Sequence, residues 1–161
     1  MIGRALDKLL TLLKRIAGAL LLILFALNIV QIAMRYTTGA SLIWLPDLSR
    51  FLFIWLVFIG AAVLVGIRGH LVMDFFVGKL SIGTKRAAEV VILIGQIGFF
   101  TIMLVWGTRI FRVRLDIPFD TWDFPTGWAY LAVPATALLM IVFSINALWS
   151  TLTGNNGAKV E

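Results

Sequence analysis

Four long apolar runs alternate with short charged segments along this chain. Residues 16–34, 51–67, 90–106 and 128–149 contain no Asp, Glu, Lys or Arg. Each is roughly 17–22 residues long, enough to cross a hydrocarbon core of about 30 Å at about 1.5 Å per residue. Their apolar side chains go almost all the way round a helix, which leaves no face suited to water. The pattern predicts an all-α membrane protein, a four-helix transmembrane bundle over residues 16–149 in one domain.

Two flanking segments carry a different periodicity. In residues 1–15, Ile2, Leu6, Leu9, Leu10 and Leu13 share one helical face, and Arg4, Asp7, Lys8 and Thr11 occupy the other. That is the pattern of an amphipathic helix lying in the headgroup plane, although a plain extension of the first span would also fit. After the second span, Leu71, Val72, Phe75, Phe76 and Leu80 face away from His70, Asp74 and Lys79, with Gly78 and Gly83 as punctuation. A second short interfacial helix is expected there, with Thr84 as N-cap of the third long helix. Residues 150–161 read as a polar tail.

Composition sharpens this picture. Hydrophobic residues make up 61% and charged residues 14% of the 161 positions, with a mean hydropathy of +1.01. A soluble domain carries about a quarter charged residues. The net charge of +6 and pI near 10.3 superficially suit a nucleic-acid binder. The positions of the charges point elsewhere. Arg4, Lys8, Lys14, Arg15, Arg68, Lys79, Lys85, Arg86 and Lys159 fall on one alternating side of the spans. The other side has Arg35 and Arg50, then Arg109, Arg112 and Arg114 balanced by Asp116, Asp120 and Asp123. The positive-inside rule makes the richer side cytoplasmic, with both termini there and no nucleic-acid partner implied. The first apolar run is too long for a signal peptide, so it is expected to stay as an anchor.

Polar and small residues within the spans are few. Asn28, Gln31 and Arg35 form one stripe (i, i+3, i+7) that should turn inward, because an unpaired amide in lipid is costly. Ala62 with Gly66, and Gly95 with Gly98, thin the second and third helices for close approach by another helix. Pro134 should kink the fourth span, and Trp128 and Trp149 should anchor its two ends at the interfaces.

Catalytic chemistry finds no foothold. The chain has no cysteine and a single histidine. His70 and Asp74 supply only two of the ligands a metal needs, and haem would want ligands on facing helices. No cofactor, metal or catalytic residue is expected. No carboxylate lies inside a span, where an ion-coupled carrier keeps one, so a substrate site is not expected either. That weighs against a self-sufficient exporter and favours an accessory subunit. A membrane anchor for a redox enzyme is the alternative. The densest polar patch is Arg35, Tyr36, Trp44, Asp47 and Arg50. Pro46 suits a first helical turn, and Asp47 and Arg50 are spaced for an i, i+3 pair. These residues either anchor helix ends or meet a partner.

Several of these segments are familiar in order. They are Arg35–Tyr36, Trp44–Leu45–Pro46–Asp47–Leu48–Ser49–Arg50, Phe58–Ile59–Gly60–Ala61–Ala62, Gly69–His70–Leu71 with Asp74, and Tyr130–Leu131–Ala132–Val133–Pro134. Together the chain resembles the small membrane subunit, the DctQ family, of tripartite ATP-independent periplasmic (TRAP) transporters. That family tends to have two adjacent acids after the Trp; here Pro46 and Asp47 stand in their place. The resemblance implies a bacterial inner-membrane protein that joins a large elevator-type membrane subunit holding the sodium and substrate sites. A periplasmic substrate-binding protein would deliver an organic anion of the C4-dicarboxylate or sialic acid class. The small subunit would act as scaffold. On this reading Trp44, Asp47, Arg50, Arg109, Arg112 and Arg114 are expected to help dock the binding protein. Asn28, Gln31, Arg35, Ala62, Gly66, Gly95 and Gly98 would pack the bundle or meet the large subunit.

Overall fold

The computed structural model describes residues 2–37, 39, 42–68 and 82–153. They form α1 (Ile2–Thr37), α2 (Leu45–Arg68), α3 (Ile82–Arg114), a single turn α4 (Gly127–Tyr130) and α5 (Ala132–Thr153). Four stretches, Ala5–Thr37, Leu45–Ile67, Ala87–Arg114 and Gly127–Thr153, are each long and apolar enough to cross a membrane. The expected all-α membrane architecture is the one observed; residues 16–34, 51–67 and 90–106 fall within α1, α2 and α3, and residues 128–149 run across α4, Leu131 and α5. The chain is a multi-pass membrane protein.

The helices pack in the order α1, α2, α5, α3, with α1 resting on α2 and α3 on α5. One buried cluster joins Leu10 and Leu13 of α1 to Ile59 and Val63 of α2 and Phe143 of α5. A second joins Ala62 of α2, Phe100 of α3 and Met140 of α5. Small residues set the spacing, because in lipid it is close packing, not escape from water, that favours helix contact. A Cβ on Gly107 would come within 2.8 Å of Val133 Cγ1 and 3.2 Å of Pro134 Cδ. On Gly66 it would meet Leu10 Cδ1 at 2.6 Å.

Three local features differ from the sequence reading. First, α1 is unbroken from Ile2 to Thr37, so no structural boundary falls at residue 15. No proline interrupts it, which fits the plain extension of the first span that the sequence also allowed, and on its apolar face Leu10 and Leu13 are buried against α2 and α5. Second, α3 is already helical at Ile82, which places Thr84 inside the first turn and not at the N-cap. The proposed interfacial segment around His70, Asp74 and Lys79 lies outside the described residues. Third, the proline break falls one turn before Pro134, at Leu131 between α4 and α5. Pro134 has no N–H, so the Tyr130 carbonyl loses its i+4 donor. The bonds on either side persist, Leu131 N–H to Gly127 O at 2.9 Å and Ala135 N–H to Leu131 O at 3.2 Å. The helix direction therefore continues across the break.

Candidate interaction site at the ends of α2 and α3

The connection from α3 to α4 is short and aromatic, and it folds back on itself. Phe119 N–H donates to Phe124 O at 3.0 Å and Thr126 N–H to Ile117 O at 2.8 Å, so the backbone groups of this turn largely satisfy one another. Phe119 is buried. Trp122 packs against both Phe119 and Phe124, with ring centroids 5.6 and 5.3 Å apart. Phe124 in turn meets Phe51 of α2 edge to face at 6.0 Å. Gly127 lets α4 sit on the end of α3, since a Cβ there would lie 2.9 Å from Leu115 N.

Asp47 fastens this loop to α2. Its carboxylate lies in the first turn of α2, where the helix dipole favours it. It is only 7% exposed, and it accepts a hydrogen bond from Thr121 N–H at 3.0 Å and another from the Thr121 hydroxyl. The i, i+3 spacing suggested a pair with Arg50. Among the described residues that ion pair is not formed, because the acid points into the loop. Asp47 thus ties the loop between α3 and α4 to the start of α2 and offers little surface of its own.

The arginines divide into two groups. Arg50 and Arg114 line one cleft of about 110 Å³ with Ile54, Phe119, Thr126, Ala129 and Tyr130. The Arg114 guanidinium lies over the Tyr130 ring, 5.3 Å from its centroid. Neither arginine has a carboxylate partner among the described residues. Arg109 and Arg112 lie instead along an open furrow of α3 with Leu104, Val105, Thr108 and Val113. Arg109 stacks on Trp106 at 5.5 Å. At about 100° per residue, Arg112 and Arg114 point to nearly opposite sides of α3, so the expected single patch becomes two. Trp44 is 45% exposed just before α2. Two neighbouring guanidinium groups without an acid repel each other, and their fixed donor forks suit a carboxylate or phosphate.

The packing candidates divide as well. Ala62 is fully buried and Gly66 receives Leu10, so this pair builds the bundle. Gly95 and Gly98 have open space where a Cβ would stand, and they lie on an exposed face of α3. Asn28 and Gln31 are half-buried, while Arg35 is exposed in the last turn of α1. The Asn28 amide donates to Leu24 O of its own helix at 2.7 Å, so its inward turn is met without a neighbouring helix. Residues not foreseen are Thr121, Thr126, Tyr130, Gly107 and Gly127. The density of aromatic residues between Ile117 and Trp128 was the available signal for the ordered loop.

Residues 24–154 match the family described as tripartite ATP-independent periplasmic transporters, DctQ component. The chain is also 24% identical over 133 residues to the sialic acid TRAP transporter permease protein SiaT of Haemophilus influenzae (strain 86-028NP). That match covers 82% of this chain and 21% of the relative, so the chain spans about a fifth of the relative's length. The ordered motifs, the four spans and the match over most of the length agree: the chain belongs to the DctQ component family of tripartite ATP-independent periplasmic transporters.

Proposed function

We propose that this chain is the small scaffold subunit of a sodium-coupled TRAP transporter for an organic anion, of the C4-dicarboxylate or sialic acid class. The observation that carries the reading is the family match over residues 24–154. The relative's name supports the substrate class. The absence of acids from residues 16–34, 51–67, 90–106 and 128–149 supports placing the sodium and substrate sites in a separate large membrane subunit. The uneven Lys and Arg distribution supports a bacterial inner-membrane location with both termini cytoplasmic.

The cleft with Arg50 and Arg114 lies on the side that this orientation makes periplasmic. Its two guanidinium groups, without a carboxylate partner among the described residues, would meet acidic side chains of a periplasmic binding protein, with Trp44 beside them and Asp47 holding the loop in place. The open Gly95–Gly98 face of α3 would admit a helix of the large subunit. The test is co-expression with a large multi-span TRAP subunit and its binding protein. The chain should co-purify with the large subunit, and Arg50→Glu with Arg114→Glu should lower uptake at unchanged membrane insertion. Failure to co-purify would overturn the subunit reading. Wild-type uptake by the double variant would overturn the docking role.

A further inference from the structure

The contact between α1 and α2 puts the charges of the two helices at different depths. Leu13 is buried in one cluster with Ile59 and Val63, and Leu10 fills the space over Gly66. The helices run antiparallel in this register, so Lys14 and Arg15 stand level with the stretch around Val63. The charge-free run of α2 continues from there to Ile67 and ends at Arg68. The five residues from Val63 to Arg68 correspond to about 8 Å along the axis. Equivalently, the charge-free run of α1 begins at Ile16, whereas the end of that of α2 is level with Leu9, a displacement of roughly 10 Å. Two cations therefore stand level with charge-free residues of α2.

Both side chains are exposed on the bundle surface, as is Lys8. None of the three has an ion-pair partner among the described residues. The nearest acid on the helix, Asp7, is seven residues from Lys14, about 10 Å away. Lys8 and Arg15 share one face at i, i+7. Continuing along that face, Gly18 has open space where a Cβ would stand, and Leu22 and Phe25 are 70% and 64% exposed. A cation cluster thus leads directly into a notched apolar stripe.

We propose that Lys14 and Arg15, with Lys8, hold the headgroup of an anionic phospholipid drawn inward on the side of the bilayer where α2 ends, its acyl chain lying along Gly18, Leu22 and Phe25. An unpaired charge at this depth is costly, and snorkelling toward the interface with a lipid phosphate as partner relieves it. The apolar stripe selects a lipid over a free anion. Membrane surfaces attract each Lys or Arg by about 1 kcal/mol, equivalent to about a five-fold change in retention per cation.

The test uses the purified full chain in detergent with equal amounts of phosphatidylglycerol and phosphatidylcholine, with bound lipid read by native mass spectrometry. Phosphatidylglycerol should be retained preferentially, resist competition by inorganic phosphate, and weaken as salt is raised. Lys14→Gln with Arg15→Gln should remove most of the preference. Equal retention of the two lipids would overturn the proposal, as would displacement by inorganic phosphate. The same preference in the double variant would also overturn it and leave protein carboxylates as the candidate cover for this face. The salt dependence is measured on the wild-type chain, so it stands even where the variant does not fold.

Discussion

α5 and α1 are both apolar enough to cross a membrane, yet they are used in opposite ways. In the most apolar stretch of the fourth span 44% of residues are buried by the rest of the chain, and in that of α1 none are. What separates them is side-chain size. The buried positions of α5 include Ala132, Thr136, Ala137, Ser144 and Ala147, which allow α2 and α3 to approach. The corresponding stretch of α1 presents Leu21, Leu22, Ile23, Phe25 and Ile29 outward. In water such a surface would collapse inward; in lipid, apolar character carries no preference for the interior, and small residues mark the contacts.

The comparison is broken most severely by adding volume where helices touch. Gly107→Leu and Gly127→Val should each destabilise the fold by about 1–3 kcal/mol, since Val133, Pro134 and the Leu115 backbone block the new atoms. Gly18→Leu on α1, where nothing lies within 4 Å, should change stability by less than about 0.5 kcal/mol. Reversible unfolding in mixed detergent measures both. A similar cost for Gly18→Leu would contradict the assignment of α1 to the edge.

Asp47→Ala is of comparable size. It leaves the Thr121 N–H and hydroxyl without their charged acceptor and should cost about 1.5–3 kcal/mol. Proteolysis of the 115–126 loop should rise with it. An unchanged cleavage rate would mean that the aromatic cluster alone holds the loop.

These two effects also show which parts of the molecule were readable in advance. The spans and their number follow from charge-free length alone, because lipid forces backbone groups to bond within each helix. Pairing order does not follow, since Leu and Ile look the same facing lipid or facing a neighbour. Ala62 and Gly66 were legible as packing residues because small-xxx-small spacing has a steric meaning. Gly95 and Gly98 have similarly close spacing on an open face, so the pattern alone does not say which partner is met. For Asp47 the sequence offered the local partner Arg50, whereas the acid bonds Thr121, 74 positions away. Arg112 and Arg114 were near in sequence, but the turn of α3 separates them. Residues 1–15 carried a periodicity that serves equally for a headgroup or for α2.

Smaller effects sharpen the contrast between the two helices. Met140→Ala, at a position 2% exposed, should cost about 1–2 kcal/mol, chiefly through the cavity it leaves, whereas Leu22→Ala should be close to neutral. Ser144→Ala is the mildest. The Ser144 hydroxyl is buried without a hydrogen-bond partner among the described residues, so its removal should change stability by less than about 0.5 kcal/mol or raise it slightly.

The scaffold role itself is tested most directly by sodium-driven uptake in proteoliposomes assembled with and without this chain. Uptake of the organic anion should require the chain, the large subunit and the binding protein together, and the chain alone should move nothing. Uptake by this chain alone, or full uptake by the large subunit and binding protein without it, would contradict the account.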